Sequence, residues 1–318
     1  MHSLTSMLKY KRKHGTDSIK DFCQRFLHPT FGYPDKHGNY ELIIGKNPTI
    51  CFAAHYDSVH SDDGMQTIQI KNDIVSLAKG SKSNCLGADC ATGVWLILEM
   101  IDAGIEGVYV IHANEESGCL GSKALVEDNP KWLSKIQAVI SFDRKGKESI
   151  ITHQMGMRTC SDAFAVSLDK ILGLGQRPDD TGSYTDSNEY AELVPECTNL
   201  SVGYYNQHTA RETQDLGFAS ELRDALIAAD WSQLVIERDP KVIEYSYGTG
   251  YAQSWGRNWT HYNEEKAYDQ DRQAFLDIVL NNPEAVASML QEYFGNEFDL
   301  IDELYHYEPH IQFYGRLQ

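Results

Sequence analysis

Four short runs of apolar, β-branched or aromatic residues punctuate the chain at 48–54 (PTICFAA), 107–113 (GVYVIHA), 136–142 (IQAVISF) and 198–205 (TNLSVGYY). Runs without polar alternation must be covered on both faces, as the strands of a parallel sheet are. Helical spacing at 90–103, 120–128, 160–172 and 213–237 supplies the covering layers, the last with Leu222, Leu226, Ala229 and Leu234 on one stripe. The alternation predicts an α/β fold, a three-layer α/β/α sandwich with a mostly parallel central sheet. Ahead of it, residues 17–28 (DSIKDFCQRFLH) place Ile19, Phe22, Phe26 and Leu27 on one helical face behind Asp17 as a cap.

Two segments fall outside this rhythm. QTIQI and DIVSLA flank a polar Lys-Asn pair between the first strand and its helix, which predicts a hairpin insertion too short to be a domain. Beyond Pro240 the texture becomes aromatic and Gly-rich (YSYGTGYAQSWGRNWTHY), then helical and acidic with a break at Asn281, Asn282 and Pro283. Residues 1–240 are therefore expected to form the main domain, and 241–318 a helical C-terminal extension packed on it. No internal repeat or low-complexity tract is present.

Length and composition bound the partners. A chain of 318 residues that is 42% hydrophobic can fill a substantial core. The 28 basic and 46 acidic residues give a net charge of −18, which repels phosphate backbones and anionic lipid and argues against nucleic acid or a membrane as partner. Such a balance suits a cationic ligand, or serves as solubilising surface charge. No apolar run approaches the roughly 18 residues of a membrane span, and the basic cluster near the N-terminus follows the apolar residues, an order unlike a secretory signal. Seven cysteines cannot all pair internally and none forms a CxxC, so a reduced, cytoplasmic chain is expected.

In an open α/β sheet, ligands bind beyond the carboxyl ends of the strands. The first strand runs into His55-Tyr56-Asp57, the second into Asn114-Glu115-Glu116, the third ends at Asp143, the fourth ends at His208, and Asp89 stands at a helix start. Each piece has an ordinary reading: a His-x-Asp arises by chance, a Glu-Glu pair sits in a solvated loop, a lone Asp caps a helix. Their convergence on one crevice sets them apart. Imidazoles and carboxylates together suit zinc, cobalt or manganese without a thiolate. Two such ions roughly 3.5 Å apart need a bridging anion and hold a water of lowered pKa, and a carboxylate left uncoordinated beside it acts as general base.

The segments AAHYDSVH, LGADCATGVWLILEM, HANEESGCLGSKAL, VISFDRKG and GYYNQHT, in this order, resemble the co-catalytic zinc peptidases, the group of the M28 aminopeptidases and the M20 and M42 peptidases. The resemblance spans roughly residues 40–235. It implies two zinc ions, with His55 a terminal ligand of the first, Asp57 its orienting partner, and Asp89 the bridging carboxylate. It further implies that Glu115 is the general base, that Glu116 and His208 bind the second ion, and that Asp143 shares the first with His55. The 34 positions from His55 to Asp89 leave space for the hairpin but not for the extra β domain of M42 enzymes, and the 65 from Asp143 to His208 hold no M20-type lid. An undecorated, M28-like core fits best.

Two residues depart from the pattern, Cys90 after the bridging Asp and Arg144 after Asp143. Arg144 can read a substrate carboxylate or pair with an acid on a neighbouring loop. In GSYTDSNEY, Asp186 is a candidate contact for a free amine, and Tyr204 or Tyr205 a donor to an oxyanion, with turn and packing roles the plain alternatives. His60, His112 and His153 read as structural histidines, and Cys85, Cys90 and Cys119 as small buried hydrophobes rather than ligands. The resemblance implies a metal-dependent exopeptidase, an aminopeptidase acting on peptides. The alternatives are a carboxypeptidase, dipeptidase or N-acyl amino acid deacylase on the same metal site, or a binding module on a peptidase fold.

Overall fold

The computed structural model describes residues 3–242, together with Glu244, Leu280, Pro283 and Val286. The chain divides into two units, Met1–Ala252 and Gln253–Gln318, and the account below concerns the first. The aromatic and acidic extension expected over 241–318 lies outside the described residues apart from those few positions.

Helices α1 (Leu4–Met7) and α2 (Asp17–Phe22) open the chain, and α2 runs through a π turn (Cys23–Leu27) into α3 (His28–Phe31). Ile19, Phe22, Phe26 and Leu27 are all buried, as their spacing demands. Asp17 is not the cap. Thr16 holds that position without a side-chain bond, and Asp63 from a distant loop accepts the free N–H groups of Ser18 (3.0 Å) and Asp17 (3.4 Å).

Strands β1 (Tyr40–Ile44) and β2 (Ile50–His55) precede a hairpin of β3 (Ile68–Lys71) and β4 (Ile74–Leu77). Asn72 and Asp73 both have positive φ at its tip, the signature of a type I′ turn, one position beyond the expected Lys-Asn pair. Helix α4 (Ala88–Asp102), β5 (Gly107–His112), α5 (Leu120–Asp128) and β6 (Ala138–Arg144) follow. Then come β7 (Ser149–Ile151), the short β8 (His153–Gln154) and β9 (Met157–Arg158), α6 (Asp162–Leu172), β10 (Arg177–Asp179), β11 (Glu196–Ser201), β12 (Tyr204–Tyr205), β13 (Thr213–Asp215) and α7 (Leu216–Ala228).

The main sheet has the order β1-β5-β2-β6-β11-β7-β10. Its centre, β5-β2-β6-β11, is parallel, and β1 closes one edge antiparallel to β5. Side chains alternate between two cores: Phe52, Ala54, Tyr109, Ile111, Ile140 and Phe142 face α4, α6 and α7, whereas Cys51, Ala53, Val108, Val110 and Val139 face Leu125 of α5 and Tyr190. This is the three-layer α/β/α sandwich that the alternation predicts. Helix α4 lies close against β2 and β6: a Cβ at Gly93 would run into the Phe142 carbonyl oxygen and stand 2.9 Å from Ala54 Cβ.

The segment 198–205 is not one strand. β11 ends at Ser201 in the main sheet, and β12 joins a second sheet of order β12-β13-β4-β3 that includes the hairpin. The helix expected over 213–237 is shorter at both ends. Residues 213–215 pair with β4, Asp215 caps Phe218 N (2.9 Å), and the backbone is extended at Ala229. Asp230 then caps the short 3-10 turn Trp231–Gln233, so of the apolar stripe Leu222 and Leu226 are buried on α7, while Ala229 and Leu234 pack against the core from beyond it.

Candidate metal centre

The seven residues singled out at strand and helix ends converge at the carboxyl edge of the parallel strands. His55 ends β2, and its Nε2 lies 3.5 Å from Asp143 Oδ1 at the end of β6. Across the centre, His208 Nε2 lies 3.0 Å from Asp89 Oδ2 and 3.1 Å from Glu116 Oε1. Asp89 is in the first turn of α4, where the helix dipole favours its charge, and its Oδ1 accepts the Cys90 N–H (2.8 Å). Glu115 and Glu116 start a 3-10 turn (Glu115–Ser117) that departs from β5 through Asn114 in the left-handed region (φ 58°).

Asp57 ties two of these elements together. Its Oδ1 accepts the Glu115 N–H and its Oδ2 the Glu116 N–H, each at 3.1 Å, while Oδ1 faces His55 Nδ1 at 3.6 Å. The ring is thereby oriented with Nε2 toward the centre, the arrangement a ligating imidazole needs.

Asp143 is freed by an irregularity. The register between β6 and β11 shifts near Asn199, and the Asp143 N–H is taken by Asn199 Oδ1 (2.9 Å) instead of the ladder. Thr185 Oγ1 donates to Asp143 Oδ2 and Tyr204 OH to the Asp143 carbonyl, both at 2.9 Å. Sequence reading missed Asn199 and Thr185, because a single Asn in an apolar strand and a Thr in a loop carry no spacing signal.

The chemistry of this donor set fits divalent ions. A tetrahedral ion with bonds of about 2.0–2.1 Å separates its ligand atoms by roughly 3.4 Å, and the 3.0, 3.1 and 3.5 Å imidazole–carboxylate distances bracket that value. Among the described residues, Asp89, Glu116 and His208 form a group whose ligand atoms lie close enough together to hold one ion. Glu116 Oε1 and His55 Nδ1, both buried, lack a well-aligned hydrogen bond.

Electrostatics point the same way. Burial pushes the Glu115 carboxyl well above the usual range, with Asp143, Asp186 and Glu116 adding to the rise and His55 opposing it. Burial also raises Glu116, against the nearby His208 ring. At Asp89 burial is overcome by His208 and His55, which hold its pKa below the ordinary value. His208 is pushed up to about 11 by its contacts with Asp89 and Glu116, and His55 is raised despite burial by Glu115, Asp143 and Asp57. Cations among these groups would do what the two rings do here, compensating the carboxylates and leaving both imidazoles neutral and free to ligate.

The remaining candidates separate. Asp186 is fully buried, accepts Ser122 Oγ at 2.6 Å, keeps Oδ2 without a partner, and is raised to about 7 by burial. Arg144 Nη2 is engaged by Thr181 Oγ1 (2.8 Å) and Asp179 Oδ2 (3.4 Å). The Tyr204 hydroxyl proton is committed to Asp143, and Tyr205 is a partly exposed residue of β12. His60 is held by Arg12 N and Gln66, His112 by Tyr190 OH, and His153 by Thr152, the structural roles expected of them. All seven cysteines are buried and free, and no helix among the described residues is long and apolar enough to cross a membrane.

Residues 41–173 match the profile of peptidase family M28, a span that includes His55, Asp57, Asp89, Glu115, Glu116 and Asp143 but stops before His208. No curated protein sequence matches the chain. Solved structures of similar fold include the aminopeptidase PepT from Bacillus cereus, 15% identical over 71% of this chain and 95% of that one, with a TM-score of 0.56. A tripeptidase from Staphylococcus aureus is 12% identical over 71% and 95% of the two chains, with a TM-score of 0.57. The TET1 peptidase of Pyrococcus horikoshii, which assembles into a tetrahedron or a large octahedral shell, is 17% identical over 72% and 100%, with a TM-score of 0.53. Residues 41–173 therefore resemble a peptidase family M28 domain, the described residues share the α/β fold of these solved structures, and the family match supports a peptidase hydrolase.

Proposed function

We propose that the chain is an aminopeptidase with a dinuclear zinc centre, in which His55 and Asp143 bind one ion, His208 and Glu116 the other, and Asp89 bridges them. Cobalt and manganese suit the same donors. The observation that carries this reading is the pairing of one imidazole with one carboxylate on each side of the centre, with Glu115 beside them and outside both pairs. Bound ions would polarise the scissile carbonyl and lower the pKa of the attacking water.

The protein's own part falls to Glu115. Among the described residues its carboxylate accepts only the weak Cys119 thiol, at 3.9 Å, and its raised pKa suits a group that must take a proton and give it back. Glu115 removes a proton from the attacking water and delivers it to the departing amine. Asp57 fixes Glu115 and Glu116 through their backbone N–H groups, so base and ligand keep their spacing through the cycle.

Peptides are the proposed substrates, and the engagement of Arg144 favours an aminopeptidase over the carboxylate-reading alternatives. With its guanidinium held by Asp179 and Thr181, Arg144 is better placed to brace β6 than to read a substrate carboxylate. Peptides with free ends, a blocked amine or a blocked carboxylate, assayed with and without chelator, test the reading. Cleavage should need metal and a free amine; dependence on a free carboxylate would favour a carboxypeptidase or dipeptidase, cleavage of N-acyl amino acids a deacylase, and no hydrolysis a binding module.

A further inference from the structure

Glu212 is fully buried, yet no substrate or metal role accounts for it. Its Oε2 accepts the N–H groups of Leu86 (2.8 Å) and Gly87 (2.9 Å), and its Oε1 that of Ala88 (2.7 Å). These are the N–H groups that lead into α4, whose own N-cap, Gly87, has no side chain to offer and is in the left-handed region (φ 70°). The helix that carries Asp89 is thus capped by a residue more than 120 positions away, only four beyond His208. A second tie follows one turn on, where Thr92 Oγ1 donates to Gln214 Oε1 at 2.6 Å.

The loop from His208 to Gln214 is fastened to the start of α4 at two points, and His208 meets Asp89 between these two chain segments. His208 has positive φ (62°) and its side chain is 47% exposed, so neither its own backbone preference nor packing holds the ring in place. We infer that Glu212 is the positioning residue that sets His208 against Asp89 by locking the His208 loop onto the N-terminus of α4. The inference rests on the two-ion reading above. It assigns Glu212 to the geometry of the ion bound by His208, Glu116 and Asp89, and gives it no contact with substrate.

The test is zinc titrated into the metal-free full chain against a chromogenic chelator, with thermal melts of the same metal-free samples. Glu212→Gln keeps the side-chain volume and one acceptor oxygen but loses the carboxylate. Glu196→Gln is the matched control: Glu196 is also fully buried and accepts Ser161 N (2.7 Å), Glu237 N (2.8 Å) and Arg238 N (2.9 Å), but at the start of β11, the sheet edge opposite the centre. Wild type should bind two ions. Glu212→Gln should keep one and bind the other roughly 10–100-fold more weakly, while Glu196→Gln lowers the melting temperature and leaves both affinities unchanged. Two ions held by Glu212→Gln within twofold of wild type would overturn the inference and leave the two-ion reading standing. Fewer than two ions on wild type would overturn that reading itself. If Glu212→Gln does not fold, Thr92→Val cuts the second tie alone, and unchanged affinity in it counts against the inference in the same way.

Discussion

Asp57 and Glu116 are joined through the backbone and not through opposite charges: Asp57 Oδ2 accepts the Glu116 N–H at 3.1 Å, while the same carboxylate faces His55 Nδ1. One side chain thereby reaches a proposed ligand on each side of the centre. Asp57→Asn keeps the shape but replaces an acceptor oxygen with an N–H₂ that meets backbone N–H groups or the ring. Activity should fall roughly 10–100-fold, read as kcat/KM on a free-amine peptide; wild-type turnover would show that the carboxylate charge is not needed.

Glu115→Gln removes the proposed base and leaves the ligand pairs intact. Turnover should drop by about 10²–10⁴ while elemental analysis still finds the wild-type zinc content. Full activity in this variant would refute the assignment.

Asp89→Asn takes a charge from the point where the two sides meet. Zinc content should fall in the purified protein, and a content equal to wild type would exclude a bridging role.

His60 provides a pH test away from the ligands. Burial, with the nearby Arg12 charge adding to it, pushes the ring down to about 3, and Nδ1 accepts the Arg12 N–H at 3.2 Å. The folded protein keeps this ring neutral while the unfolded chain protonates it below its ordinary pKa of about 6.5. Its contribution is therefore complete above pH 6.5 and declines as pH falls from there toward 3, by on the order of 1 kcal/mol per pH unit. In chelator, the stability deficit of His60→Gln measured at pH 7.5 by urea melts should shrink steadily between pH 6.5 and 5. A deficit independent of pH would mean the ring titrates normally.

Gly93→Ala sets two effects against each other. Alanine gains about 1 kcal/mol in helix propensity, but its methyl would meet Phe142 O and Ala54 Cβ where α4 crosses the sheet. Overpacking of this kind costs about 1–3 kcal/mol, and a backbone carbonyl yields little, so the variant should melt lower than wild type. A higher melting temperature would show that α4 can shift outward freely.

The sandwich was legible because burial on both faces leaves its mark on composition: β2, β5 and β6 read as continuous apolar runs, and their ends carried the candidate ligands. The boundaries that failed were set by distant partners. Asp63 caps α2 in place of Asp17, residues 213–215 are drawn off α7 by pairing with β4, and 198–205 splits because β12 pairs with β13 in the second sheet. Local periodicity cannot anticipate a partner from another part of the chain. The same limit explains why His55 and His208 stood out while Glu212 and Asn199 did not. The candidate ligands lie on or just beyond strand and helix ends that local patterning marks, whereas a brace can come from anywhere.

The exposure of the two imidazoles differs: the His55 side chain is 2% exposed and that of His208 47%. The first is built into the end of a central strand, the second onto a loop between strands of the smaller sheet. Two ions held by such unequal supports would exchange with solvent at unequal rates, so dilution or mild chelation should empty the His208 side first. On the two-ion reading, a singly loaded form would then be the first to appear on chelation, and activity should follow the supply of the second ion.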